Sequence, residues 1–176
     1  QVDWSGAESV MVLAHNHNDR CWPGLRSKMV QGQRGVHPDT ARGKVPGHWA
    51  NLLRGYGISF WHTVPAMGTM LMDCGDSLAE ADRRDALSSL KIIGMGGDRI
   101  PLNPVRRLFE RAPSARIFSP GGPTELTVWS VISNLFPKAT ERRQLPYGKP
   151  ISNSECRVHA SAGRPRHPAL PGEMPS

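Results

Sequence analysis

Ala115-Arg-Ile-Phe-Ser-Pro-Gly-Gly-Pro-Thr-Glu-Leu-Thr-Val-Trp-Ser130 carries an apolar, strand-like run into a turn and out to a second apolar run. The turn is Ser119-Pro120-Gly121-Gly122-Pro123, followed at once by Thr124 and Glu125. Paired glycines let a backbone reach conformations closed to other residues and come close to a ligand. The Thr124 hydroxyl can meet a phosphate oxygen, and the Glu125 carboxylate can hold Mg²⁺. This donor set, at the carboxyl end of a strand, suits a magnesium nucleotide.

The elements around this stretch alternate. Ser9 to Ala14 is a short apolar run that reads as a buried strand. Asp19 to Gln31 is expected to be a helix, capped by Asp19 with Pro23 in its first turn. Val36 to Gly47 is rich in turn formers and reads as a loop. Pro46 to Tyr56 reads as a helix, with Trp49, Leu52, Leu53 and Tyr56 at i, i+3, i+4 and i+7 and Gly57 as its stop. Ile58 to Val64 is β-branched and aromatic, hence a strand. Pro65 opens a helix with Met67, Met70, Leu71 and Cys74 on one face, a stripe that reads as core filling. Leu90 to Met95 is the next strand, Pro104 to Arg111 a helix with Val105, Leu108 and Phe109 inward, and Ala115 to Ser119 a strand. A further strand is expected near Glu155 to His159.

Strand and helix in alternation predict an α/β fold, a mostly parallel sheet with flanking helices. In such sheets ligands bind beyond the carboxyl ends of the strands. The loops after Val64, Met95 and Ser119 all fall at that end. Residues 1–160 read as one domain and 161–176 as an irregular, proline-rich tail.

Composition narrows the class. The 176 residues are 38% hydrophobic, with 18 glycines and 16 prolines, enough for one core with substantial loops. No apolar run reaches the roughly 18 residues of a membrane-spanning helix. Cys21, Cys74 and Cys156 are widely spaced and form no disulfide or metal pattern, which is expected of reduced thiols in a cytoplasmic protein. The net charge of +7 comes from scattered arginines without a basic run, so surface charge is favoured over nucleic-acid binding. His15-Asn-His17-Asn-Asp19 places three potential metal ligands at steps of two. No second His/Cys cluster accompanies it. A non-catalytic α/β module that binds a nucleotide or a partner protein is the competing reading.

Four segments, in this order, carry a family resemblance. Gly47 to Ala66 resembles a helix, strand and "N-S-V-P-A" turn, and Leu90 to Pro101 resembles an "S-G-G-E-x-x-P" segment. Pro120 to Glu125 contains Gly-Pro-Thr-Glu, and Pro146-Tyr-Gly-Lys-Pro-Ile-Ser-Asn153 is similar to "P-I-G-x-P-I-x-N". Together they resemble the central part of the AMP-binding, adenylate-forming adenylation domains of nonribosomal peptide synthetases. Val128-Trp129 and Pro146 to Pro150 are most similar to the branch that activates cysteine and forms thiazolines.

The resemblance implies roles. Asp19 would pair with the substrate α-ammonium. Arg20, Pro23, His62, Ile93, Met95, Pro120, Val128 and Trp129 would line the side-chain pocket. Gly96, Gly97, Pro120, Gly121 and Gly122 would flank the nucleotide. Thr124 would contact the α-phosphate, and Glu125 would ligate Mg²⁺. ATP and Mg²⁺ would be the cofactors. The partners would be an amino acid, the phosphopantetheine thiol of a peptidyl carrier domain, and a condensation domain of the same assembly line. Two departures stand out: Asn18-Asp19-Arg20-Cys21 replaces the family's "F-D-x-S", and Gly121 stands where an aromatic usually covers the adenine. The family's phosphate loop, its ribose-binding aspartate and its small lysine-bearing domain have no counterpart among these residues. The isolated chain is therefore expected to be inactive.

Overall fold

The computed structural model describes residues 8–12, 34–76, 86–122, 129–141, 143–152 and 155–156. Seven strands form one sheet: β1 (Ser9–Val12), β2 (Arg34–Val36), β3 (Phe60–Thr63), β4 (Ile92–Met95), β5 (Arg116–Gly121), β6 (Val131–Leu135) and β7 (Lys149–Pro150). Their order is β2-β1-β3-β4-β5-β6-β7. Pairing is parallel from β2 through β5, and antiparallel between β5 and β6 and between β6 and β7. Among the described residues, helices α1 (Pro46–Tyr56), α2 (Pro65–Asp76) and α3 (Leu102–Arg111) connect and cover the strands.

Two buried hydroxyls register the first strands. The Ser59 hydroxyl accepts from the Ser9 backbone N–H at 2.9 Å, and the Ser59 N–H donates to the Ser9 hydroxyl at 3.0 Å. The Ser9 hydroxyl in turn donates to the Gly57 carbonyl at 2.7 Å. Buried polar groups are tolerated when paired in this way. This node fixes β1 beside the start of β3.

Helix α1 begins at Pro46, and Gly57 ends it in the left-handed conformation (φ 55°), its N–H donating to the Leu53 carbonyl. Trp49 and Leu53 are fully buried, and the Trp49 indole donates to the Gly43 carbonyl at 3.0 Å. Tyr56, expected on the same face, is 53% exposed at the last position of the helix. Helix α3 buries Val105 and Leu108. It is tied to α2 by Arg107–Asp73 at 2.6 Å and by Arg111 donating to the Met72 carbonyl at 2.8 Å.

Helix α2 is apolar nearly all round, and its buried stripe differs from the expected one. Gly68, Leu71 and Met72 face inward, while Met70 is 41% exposed. Gly68 decides the rotation: a Cβ there would lie 2.6 Å from the Met95 methyl, so its bare backbone admits the Met95 side chain of β4.

Residues 34–36, partly read as loop, are edge strand β2, followed by a single 3₁₀ turn at Thr40–Arg42. The parallel pattern ends at β5, where the chain returns antiparallel as β6. Of the strand expected near Glu155 to His159, Glu155 and Cys156 are not in a strand and 157–159 lie outside the described residues; the last strand among the described residues is β7 at Lys149–Pro150. Pairing with Val131 and Ile132 selects that earlier segment. The helix expected at 19–31 and the tail at 161–176 lie outside the described residues.

Alternation divides the sheet. Met11, Trp61, Ile93 and Ile117 point to the helices and join the main core. Val10, Phe60, Ile92 and Phe118 point to the other face and form a second, smaller cluster with Trp129 and Ile132.

Candidate functional site

The three loops singled out in the sequence do meet. The Gly96 N–H, just past β4, donates to the Thr63 carbonyl at the end of β3 at 3.2 Å. A Cβ on Gly96 would overlap the Pro120 carbonyl oxygen and lie 2.8 Å from Pro120 Cγ. The ends of β3, β4 and β5 are thus drawn together as closely as backbone permits. Gly97 follows with φ 91° and is exposed; among the described residues, a Cβ there would meet Val64 alone, at 3.7 Å. It offers an open, side-chain-free rim.

Gly121 and Gly122 serve the protein's own packing as well. A Cβ on Gly122 (φ 144°) would overlap the Ser130 hydroxyl, and the Ser130 N–H donates to the Gly121 carbonyl at 2.9 Å. A Cβ on Gly121 would lie 3.1 Å from Val131 and 3.2 Å from the Tyr147 ring. The pair lets β6 fold back tightly on the end of β5.

Below this rim, on the sheet face away from the helices, stands an aromatic wall. His62, Gly94 and Phe118 are in register across β3, β4 and β5. A Cβ on Gly94 would lie 2.8 Å from His62 Cδ2 and 2.7 Å from Phe118 Cζ, so the two rings close over the gap that glycine leaves. Trp129 packs on both, its centroid 5.4 Å from His62 and 5.7 Å from Phe118, the latter edge-on at 74°. Phe60 stacks on Phe118 at 6.4 Å.

Burial pushes the His62 imidazole down to about 4, so it is neutral at pH 7. It lends the wall an uncharged polar edge, not a cation. The unfolded imidazole binds a proton near its ordinary 6.5 and the folded one resists it. The stability contribution is complete above pH 6.5 and is lost as pH falls toward 4, at no more than about 1.4 kcal/mol per pH unit. His62→Phe is expected to flatten the decline between pH 6.5 and 5, as read from melting temperatures across that window. An unchanged slope would show that His62 titrates normally.

Of the residues assigned by resemblance, the structure brings His62, Pro120 and Trp129 to the neighbourhood of the wall, and Gly96, Gly97, Gly121 and Gly122 to the rim. Ile93 and Met95 go elsewhere: both are fully buried in the helix-side core, with Met95 against Gly68. Strand alternation forces this once His62 and Gly94 face the other way. Asp19, Arg20, Pro23, Thr124, Glu125 and Val128, and the His15 to Asp19 run, lie outside the described residues. Gly94 and Phe118 had no sequence signal of their own. Their register opposite His62 is what reveals them.

The strand-end rim thus overlies an uncharged, aromatic-walled sheet face at the carboxyl ends of the parallel strands. The AMP-binding enzyme family matches residues 9–175, and the chain belongs to it. Among relatives, it is 36% identical over 143 residues to pyochelin synthetase PchF of Pseudomonas aeruginosa, covering 81% of this chain and 8% of that protein. It is 30% identical over 136 residues to phenyloxazoline synthase MbtB of a Mycobacterium species, covering 77% of this chain and 11% of that one. It also superimposes on the crystal structure of the nonribosomal peptide synthetase FmoA3 in its α-methyl-L-serine-AMP-bound form. There the TM-score is 0.83 at 30% identity, covering 96% of this chain and 19% of FmoA3. The chain therefore spans a small part of each of these proteins. Its fold is that of peptide-synthetase adenylation domains, and the cysteine-activating, thiazoline-type branch is consistent with PchF and MbtB.

Proposed function

We propose that this chain is the substrate-facing part of an adenylation domain that activates an amino acid as its aminoacyl-AMP. The observation that carries the reading is the convergence of the β3, β4 and β5 ends at Gly96 and Pro120, directly above the His62–Trp129 wall. An amino-acid carboxylate oxygen attacks the α-phosphorus of ATP. The bond from that phosphorus to the bridging oxygen breaks, and pyrophosphate leaves with the electron pair. Catalysis of this kind is positioning together with neutralisation of phosphate charge.

The residues fit the nucleotide. Gly97 leaves an open rim at the strand ends, and the Thr124 hydroxyl and Glu125 carboxylate supply the donor chemistry that a phosphate and Mg²⁺ require. Mg²⁺, when bound, draws charge from the phosphates. Asp19 holds the substrate ammonium, and His62, Pro120, Val128 and Trp129 shape its side-chain pocket. Ile93 and Met95 act one layer removed, by fixing strand β4 on which Gly94 and Gly96 sit. The phosphopantetheine thiol of a carrier domain then attacks the acyl carbonyl, a thioester forms, the acyl–phosphate bond breaks and AMP leaves. The carrier presents the thioester to a condensation domain, in a cytoplasmic assembly line.

The test is amino-acid-dependent exchange of pyrophosphate into ATP by the complete protein that carries this sequence. Exchange stimulated by one amino acid or a narrow group is the expected result. Nucleotide binding without exchange for any amino acid would favour a non-catalytic module instead.

A further inference from the structure

Gly121 leaves the end of β5 without a side chain, yet the space is filled. The hydroxyl-bearing end of the Tyr147 ring lies where a side chain at 121 would begin, with Cζ and Cε2 at 3.2 and 3.4 Å from that position. Tyr147 reaches it from outside the parallel strands, just before β7, across β6. Its approach is fixed by Gly148, whose φ is 120° and whose missing Cβ brings the chain against the backbone of Ile132 and Ser133. The pairing of Lys149 with Ile132 and Pro150 with Val131 holds the next two residues. Despite this anchoring, Tyr147 remains 52% exposed. An aromatic ring seated on backbone at one end and open over much of its surface is a stacking platform. The strand-end rim begins one residue away, at Pro120.

We propose that Tyr147 forms a wall of the purine site, stacking on the adenine of ATP and supplying across β6 the aromatic surface that Gly121 does not provide. The proposal rests on the adenylation reading above. Tyr147 is a binding residue for the nucleotide alone and plays no part in choosing the amino acid.

The experiment uses the complete protein, with pyrophosphate exchange measured against ATP and against the amino acid, and adenosine binding measured by calorimetry. Tyr147→Ala is expected to raise KM for ATP roughly tenfold and weaken adenosine binding by a similar factor. The amino-acid KM stays within about twofold, and Tyr147→Phe recovers the ATP KM because it keeps the ring. A second variant guards against a mere packing effect. Gly121→Tyr placed on Tyr147→Ala returns an aromatic to the same space and restores ATP affinity. Unchanged adenosine binding in Tyr147→Ala, or equal losses for ATP and amino acid that no ring restores, would overturn the proposal. If adenosine binds in a Tyr147-dependent way but no amino acid supports exchange, the purine wall stands and the adenylation reading fails. If the protein binds no adenosine, both fail.

Discussion

Replacing Glu125 with Gln is expected to lower amino-acid-dependent ATP–pyrophosphate exchange by a factor on the order of 10²–10³ in the complete protein. The two side chains have the same shape, so what is lost is charge. Mg²⁺ is a hard cation that takes oxygen ligands, and an anionic carboxylate holds it far better than a neutral amide. The neighbouring Thr124 offers only a hydroxyl and cannot substitute. On the proposed role of Glu125, the lesion falls on phosphate charge. The melting temperature without nucleotide is accordingly expected to stay within a degree or two of wild type, since an isosteric change that removes only a metal-binding charge leaves packing unaltered. Adenosine, which has no phosphate, should bind normally. Unchanged exchange in Glu125→Gln would remove this residue from the mechanism.

The second large effect is structural. Gly96→Ala places a methyl group on the Pro120 carbonyl oxygen, with Pro120 Cγ and Cδ also closer than 3 Å. Ring carbons can shift, but a backbone carbonyl within a paired strand cannot, and Pro120 is paired with Ile132 of β6. Either the end of β4 separates from β3, breaking the Gly96–Thr63 hydrogen bond, or β5 and β6 move together. Overpacking of this kind costs about 2–3 kcal/mol. Chemical denaturation measures the loss, and exchange activity should fall with it because the rim is displaced. Gly94 makes an instructive contrast. A Cβ there would meet side-chain ring atoms of His62 and Phe118 rather than backbone, so the strain falls on the aromatic wall and not on the strand ends. A stability change below about 0.5 kcal/mol in Gly96→Ala would contradict the close approach of the two strand ends.

Much of this architecture was legible in the chain. Helix α1 could be bounded because Pro46 and Gly57 mark its ends and Trp49 and Leu53 its inner face. Strands β3, β4 and β5 announced themselves as apolar runs ending in Pro65, Gly96-Gly97 and Gly121-Gly122. That their ends converge follows from parallel topology, and the sheet has it. The returning strands β6 and β7 were harder. Their pairing depends on a glycine at 148 lying on the backbone of Ile132, a contact across sixteen positions that periodicity does not register. Helix α2 was misread in rotation for a related reason. With Met67, Met70, Leu71 and Met72 all apolar, only the packing of Met95 onto Gly68 decides which of them is inside.

The site divides along similar lines. The glycines at the strand ends were visible as chemistry, but half of their purpose was not. Gly121 and Gly122 accommodate Val131, Tyr147 and Ser130. The face on which a strand residue lies was the other gap. Ile92, Ile93, Gly94 and Met95 are all buried, so alternation separates 93 and 95 from 94 without saying which pair looks toward the ligand. Only the register with His62 and Phe118 settles that, sending Ile93 and Met95 to the helices. A buried but neutral His62 likewise follows from its surroundings rather than from its residue type.

The most direct measurement is thermal unfolding of the complete protein with a panel of non-hydrolysable aminoacyl-adenylate analogues, the cysteinyl analogue among them. An aminoacyl-adenylate site predicts a rise in melting temperature that depends on the amino-acid side chain and exceeds the rise with adenosine alone, since a ligand stabilises only the state that binds it. A cooperative transition that no analogue shifts would contradict the account.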